Sequence, residues 1–288
     1  MIQIITDTSA NLPEEMRKEL NIEVIPFHYT VDGVEYPSPQ SNNEPFDGAP
    51  FYAALRKGAI AHTSMVNTHS FCQAFEPFLI QGTDIIYVGM SSGISGAYQG
   101  SVFAAEEMRK RFPQRKIAVI DTRAASLGEG LPVLHAARMN QAGFDFEEIA
   151  TGTQNNSAFI CQYFTVEDLF YLKRGGRISG TAAFVGNVLQ IKPILMGDHD
   201  GKIVIHHKER GRRRALQALV QRYEELVADK NAPVGIAHAD SEEDARYVAQ
   251  KIRESGHQGE MIITCYEPVT GAHVGPGTIA LFFYGTRR

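Results

Sequence analysis

Three serines and three glycines fall within the eight residues Gly89-Met90-Ser91-Ser92-Gly93-Ile94-Ser95-Gly96. They follow the apolar run Asp84–Gly89 and precede a helix expected over Gly96–Arg111. In an open α/β sheet, ligands gather at the carboxyl ends of strands, and the N–H groups opening the next helix favour an anion. The serines add hydroxyl donors, and Gly93 lets a ligand come close to the backbone. Gly89-Met90-Ser91-Ser92-Gly93 also satisfies G-x-S-x-G, the nucleophile elbow of α/β-hydrolases, in a strand–turn–helix setting. A triad would then draw on Asp240 and His273. The continuation Ile94-Ser95-Gly96 reads as an extended anion cradle rather than an immediate helix start. Binding is therefore the expectation, with a serine hydrolase or esterase built on Ser91 and His273 as the alternative.

Two further segments are small and polar where a core would be apolar. His62-Thr63-Ser64-Met65-Val66-Asn67 offers adjacent hydroxyls between two helical stretches, and Thr270–Thr278 lies between two terminal strands. Gly275-Pro276-Gly277 fixes a sharp backbone path there and would hold His273 at a set point. Asp7-Thr8-Ser9-Ala10 reads as a capping turn facing the same end of the sheet. Basic residues cluster in Lys173-Arg174-Gly175-Gly176-Arg177 and again over His206–Arg214, a surface suited to an acidic or phosphate-carrying partner. No G-x-x-x-x-G-K-[ST] loop is present, so the chain shows no nucleotide site of its own.

These segments need a scaffold, and the patterning supplies one. Strands are expected at Ile2–Thr6, Glu23–Tyr29, Asp84–Gly89 and Ile117–Asp121, with a hairpin turn at Val31-Asp32-Gly33-Val34. Helices are expected near Leu12–Glu15, with Asn11 as cap, and at Phe46–Lys57, Thr68–Ile80, Leu131–Gln141 and Phe146–Asn155. Such alternation implies a mainly parallel sheet covered on both faces. The second half mixes hairpins with helices. Strands are expected at Ala158–Tyr163, Lys192–Met196, Lys202–Lys208, Val234–Ala239, Glu260–Glu267 and Thr278–Tyr284. Helices are expected at Val166–Leu172, Thr181–Leu189, Arg212–Ala228 and Glu242–Glu254. The periodicity breaks near Gln154–Ser157.

The chain has 288 residues, 43% hydrophobic and 21% charged, which suits a soluble globular protein of two domains. A net charge of −5 and the absence of an interleaved aromatic ladder argue against nucleic acid as a partner. Cys72, Cys161 and Cys265 form no CxxC pair, so neither a disulfide framework nor a cysteine metal site is expected. No signal peptide or membrane-length apolar run is evident, and a cytoplasmic protein is the expectation.

Taken in order, ITDTSANLP at Ile5–Pro13, HTS at His62–Ser64, SSGISGAYQ at Ser91–Gln99, LKRGGRISG at Leu172–Gly180 and HVGPGT at His273–Thr278 resemble the DegV family. VIDT at Val119–Thr122 and KPIL at Lys192–Leu195 agree, so the resemblance spans the whole chain. One departure is that Thr63-Ser64-Met65-Val66-Asn67 stands where the family commonly has Thr-Ser-x-Pro-Ser.

The resemblance implies an α/β fold: a Rossmann-like, mainly parallel sheet domain, expected over 1–156, and a smaller α+β lipid-binding domain over 157–288. A long-chain fatty acid would bind between them, with no other cofactor. It also implies a non-catalytic, carrier role as the lipid-binding subunit of a bacterial fatty acid kinase, whose separate ATP-using subunit phosphorylates the carboxylate. Contact with a membrane would be at most transient. Carried over by position, the carboxylate meets Thr63, Ser64, Ser92, Gly93, Ile94 and His273, while Arg174, Arg177 and Arg210 face the partner. An acyl tail further requires an apolar tunnel, for which Phe164, Phe170, Ile178, Phe184, Val188, Ile191 and Leu195 are the candidates.

Overall fold

The computed structural model describes residues 1–37, 46–178 and 190–288. The chain opens with β1 (Ile2–Asp7), a 3₁₀ turn (Thr8–Ala10), α1 (Glu14–Glu19) and β2 (Ile22–Ile25). There follow β3 (His28–Val31), β4 (Val34–Pro37), α2 (Gly48–Arg56), β5 (Ala61–Ser64), α3 (Thr68–Ile80), β6 (Asp84–Gly89) and α4 (Ala97–Arg111). Then come β7 (Ile117–Asp121), α5 (Leu127–Gln141), α6 (Phe146–Ser157), β8 (Ile160–Thr165) and α7 (Phe170–Arg174). The remainder comprises β9 (Ile191–Gly197), β10 (Ile203–Arg210), α8 (Arg212–Leu226), β11 (Val234–His238), α9 (Glu242–Glu254), β12 (Met261–Cys265), α10 (Pro268–Val274) and β13 (Ile279–Tyr284).

Among the described residues the strands form three sheets. A four-stranded sheet in the order β2-β1-β6-β7 is parallel throughout. A six-stranded sheet runs β10-β9-β8-β13-β11-β12, with only β11 and β12 parallel. A small antiparallel sheet, β4-β3-β5, carries the Asp32-Gly33 hairpin, both turn residues at positive φ as a two-residue turn of this kind requires.

Helix α5 joins the two large sheets. It is buried from Leu127 through Leu134, apolar on nearly every side, and touches β1 and β6 on one flank and β8, β11 and β13 on the other. One apolar core therefore runs from Ile4 and Ile86 through Leu131 to Phe164, Leu195 and Phe282.

Several elements differ from the sequence reading, each for a local reason. Glu23–Tyr29 divides at Pro26 into β2 and β3, which pair in separate sheets. Gln154–Ser157 is the last turn of α6 rather than a break, and Val166–Leu172 yields only the short helix Phe170–Arg174. His62–Ser64 forms edge strand β5, and Pro268–Val274 is a helix where an irregular link was expected. Asn11 does not cap α1. It takes left-handed φ and hydrogen-bonds across the molecule, accepting from Glu267 N and donating to Ser126 Oγ. The helix expected over Thr181–Leu189 lies outside the described residues.

Candidate functional site

Between the carboxyl ends of β6 and β7, helix α10 and the face of β8 and β13 lies a narrow cavity. It measures about 750 Å³ counting its opening to solvent. Phe27, Met90, Phe164, Leu172, Ile203 and Phe282 make its walls apolar, and Thr63, Ser95, Arg177, Thr270 and His273 add polar groups. That is the usual composition of a small-molecule site.

His273 is the most constrained of these groups. It sits in the last turn of α10, whose first turn is capped by Glu267 accepting from Val269 N, Thr270 N and Thr270 Oγ1. Its Nε2 lies 2.8 Å from Thr63 Oγ1 on β5. Burial, with the Arg177 and Arg174 guanidiniums and His62 nearby, pushes the imidazole down to about 4, so the ring is neutral at neutral pH. Gly175 presses on the other ring edge: a Cβ there would stand 2.3 Å from Nδ1. Gly175 has ordinary helical φ, so Gly175→Ala strains no backbone and tests the ring contact alone. We expect a loss of about 1–3 kcal/mol in chemical denaturation, the cost of overpacking. An unchanged midpoint would mean that the ring yields freely.

Arg177 reaches the same cavity from the segment after α7. Its Nε donates to Ile94 O at 3.1 Å and its Nη1 to Gly175 O at 2.5 Å, and burial lowers its pKa. It thus ties the serine loop to the His273 contact and puts a positive charge on the cavity wall. The sequence reading had turned it toward a partner.

The serine loop is built differently from the expected open cradle. Ser92 N donates to Asp121, Gly93 N to Ser91 Oγ, and Ile94 N and Ser95 N both to Ser91 O. The N–H groups of these four residues therefore already have acceptors. Ser92 Oγ donates to Asp121 Oδ2 at 2.5 Å on an exposed face, and Ser92 is not on the cavity wall. Gly93 packs against the turn between β9 and β10, where a Cβ would meet Asp200 O and Gly201 C. Ile94 and Ser95 reach the cavity, whereas Ser64 is exposed on β5.

Ser91 is fully buried and donates to Gly201 O at 2.8 Å, while Asp240 is engaged by Arg56. No described bond links Ser91, His273 and Asp240, so the triad is not assembled. Asn67, which departs from the family pattern, accepts from Ser70 N and caps α3 as a serine would.

Of the tail candidates, Phe164 lines the cavity, while Ile178 and Leu195 are buried in the adjoining core. Ile191 is half-buried and Phe170 is 56% exposed. Phe184 and Val188 lie outside the described residues. Arg174 stacks over Phe170 and Tyr171, and Arg210 is exposed at the end of edge strand β10. Sequence reasoning missed Phe27, Met90, Gln162, Leu172, Ile203 and Phe282 as wall residues. Gln162, Leu172, Ile203 and Phe282 sit on strands or a helix, and Phe27 and Met90 immediately beside strands, in runs that fit core packing equally well, so only the tertiary fold marks them out.

Three carboxyl groups are buried beneath this site: Asp7, Glu129 and Glu267. Desolvation raises all three, Glu129 well above the ordinary range and Glu267 to about 7. The Ser9 hydroxyl lies 2.5 Å from Asp7 Oδ1 and 2.6 Å from Glu129 Oε2. One hydroxyl donates one proton, so one of these carboxyls must hold a proton of its own. Glu129, with the stronger upward shift, is the neutral member, and Asp7 accepts from Ser9 and from Tyr87 Oη.

Fold and site together define an α/β protein with an apolar cavity and a polar cluster on its wall. The model described as "Uncharacterised protein, DegV family" matches residues 1–286, and this chain belongs to the DegV family. It is 40% identical over 285 residues to DegV domain-containing protein CPE0026 of Clostridium perfringens, covering 98% of this chain and 97% of that one. Among solved structures, it resembles a fatty-acid-binding DegV family protein from Thermus thermophilus, with TM-score 0.87, 27% identity and 99% of each chain covered. It also resembles the fatty acid binding DegV family protein SAG1342 from Streptococcus agalactiae, with TM-score 0.85, 27% identity and coverage of 100% of this chain and 99% of that one.

Proposed function

We propose that this chain binds a long-chain fatty acid, with the carboxylate near Thr63, His273, Ile94 and Arg177 and the tail along Phe164, Leu172, Ile203 and Phe282. The observation that carries this reading is a narrow apolar cavity with a half-buried Thr63–His273 pair and a guanidinium on its wall. A carboxylate leaving water needs charge-assisted hydrogen bonds to offset desolvation. Tail burial supplies most of the affinity: at about 0.8 kcal/mol per CH₂, roughly fifteen methylenes contribute on the order of 12 kcal/mol before ordering costs. Ser92, Gly93 and Ser64 act in this reading by shaping the loops that carry Ile94 and Thr63. The same function in the Thermus thermophilus and Streptococcus agalactiae relatives supports it.

The same proposal treats 1–156 and 157–288 as two domains meeting over α5. It makes the protein a cytoplasmic, non-catalytic carrier that presents the carboxylate to a separate ATP-using kinase subunit, with Arg174 and Arg210 on the docking side. Denaturing extraction of the purified protein followed by mass spectrometry is the direct test. A stoichiometric acyl chain is expected. Protein that carries none and takes up no added fatty acid would sink the proposal.

A further inference from the structure

Gln162 is 9% exposed, sits on β8, and lines the cavity beside Phe164 and Phe282. Its amide is housed deliberately by the backbone of the neighbouring strand. Gly197 closes β9, and a Cβ there would stand 1.8 Å from Gln162 Nε2, so the missing side chain makes the room. Nε2 donates to Arg123 O at 3.3 Å, and among the described residues no donor reaches Oε1. Gln162 thus brings an amide carbonyl acceptor, unmatched among the described residues, to an otherwise apolar stretch of the cavity lining. A saturated hydrocarbon tail would leave that acceptor desolvated and unmatched, which is a cost borne on every binding event.

We propose that Gln162 is a specificity residue, and that the preferred occupant is an acyl chain carrying a hydroxyl group along its tail, donated to Gln162 Oε1. The inference rests on the reading of this cavity as an acyl-chain site. A site built around a buried hydrogen-bonding group discriminates against the analogue that lacks the partner, whereas an apolar wall hardly distinguishes them.

The test compares octadecanoic acid with a set of monohydroxylated octadecanoic acids bearing the hydroxyl near the carboxylate, at mid-chain and near the methyl end. Wild type and Gln162→Leu, a change of similar volume, are titrated with each. At least one hydroxylated chain should bind wild type roughly five-fold to ten-fold tighter than the plain chain, the size expected of one net hydrogen bond. Gln162→Leu should lose that advantage and bind the hydroxylated and plain chains alike, with its thermal midpoint confirming that it is folded. Equal binding of all chains by wild type, or a preference that survives in Gln162→Leu, would overturn the role of Gln162. Failure of every chain to bind would instead overturn the fatty-acid reading beneath it. Should Gln162→Leu not fold, Gln162→Met is read in the same way.

Discussion

Acidifying His273→Gln from about pH 7 to about pH 4.5 should raise its stability relative to wild type by about 2–3 kcal/mol, whereas Glu267→Gln should move by a similar amount in the opposite direction. His273 titrates at an ordinary 6.5 when unfolded and about 4 when folded, because burial and the nearby arginines oppose its charge. A depressed histidine contributes stability that is present above 6.5 and is lost as pH falls toward 4. Removing it removes that acid loss. Glu267 has the opposite sign, with an ordinary value of 4.5 and a folded value of about 7. Its burial penalty is relieved by protonation, so stability is highest below 4.5 and is lost as pH rises through 7. Glu267→Gln removes that acid gain and exposes the His273 loss. The two opposing groups sit at the ends of one short helix, α10, and in wild type they largely cancel over this range. Urea melts at several pH values supply the slopes. Parallel slopes for wild type and His273→Gln would mean that the ring is not held neutral by its surroundings.

The parallel sheet was legible because each of its strands is an apolar run bounded by turn residues, and Thr68–Ile80 because Asn67 caps a regular apolar stripe. Asp32-Gly33 likewise announced its turn. The polar cluster was half legible. Thr63 and His273 stood out as small and polar segments interrupting apolar ones, and the fold brings them to hydrogen-bonding distance although 210 residues separate them. The serine loop was misjudged as an open cradle because sequence cannot show where an N–H group points. Ser91 turns inward to organise the loop and to hold the turn at Gly201. Glu129 shows the same limit from the other side. A carboxyl within the apolar run of α5 looks like a surface position, and only the contact with Ser9 and Thr6 explains why it is tolerated in a helix buried all round.

Arg177 and Arg210, both basic and both once assigned to a docking face, should separate cleanly when each is replaced. Arg177→Met should weaken fatty-acid binding by roughly ten-fold to a hundred-fold, the range for a hydrogen bond to a charged group in a desolvated site. Methionine keeps the apolar stem, so the loss reports the guanidinium and not the packing. Some of it will come through the loop, because Arg177 Nε also holds Ile94 O. Loss of affinity for the carboxylate with retained affinity for the matching fatty alcohol distinguishes a charge contact from a distorted cavity. Arg210 lies exposed at the end of β10, remote in the chain from every wall residue except Ile203. Arg210→Ala should leave fatty-acid affinity within two-fold, roughly the scatter expected of a surface change. In the proposed kinase system a carboxylate oxygen attacks the γ-phosphorus of ATP, an acyl phosphate forms and ADP leaves. That step requires the carrier to dock, so Arg210→Ala should slow acyl phosphate formation by the partner subunit about ten-fold while binding is unchanged. Raising the ionic strength should slow wild type toward the variant, since exposed charge pairs at a docking rim are screened within about 8 Å at 0.15 M salt. If Arg210→Ala loses the ligand instead, the arginine belongs to the cavity and not to a docking face. If neither binding nor phosphorylation changes, β10 is a solvated edge and the partner docks elsewhere.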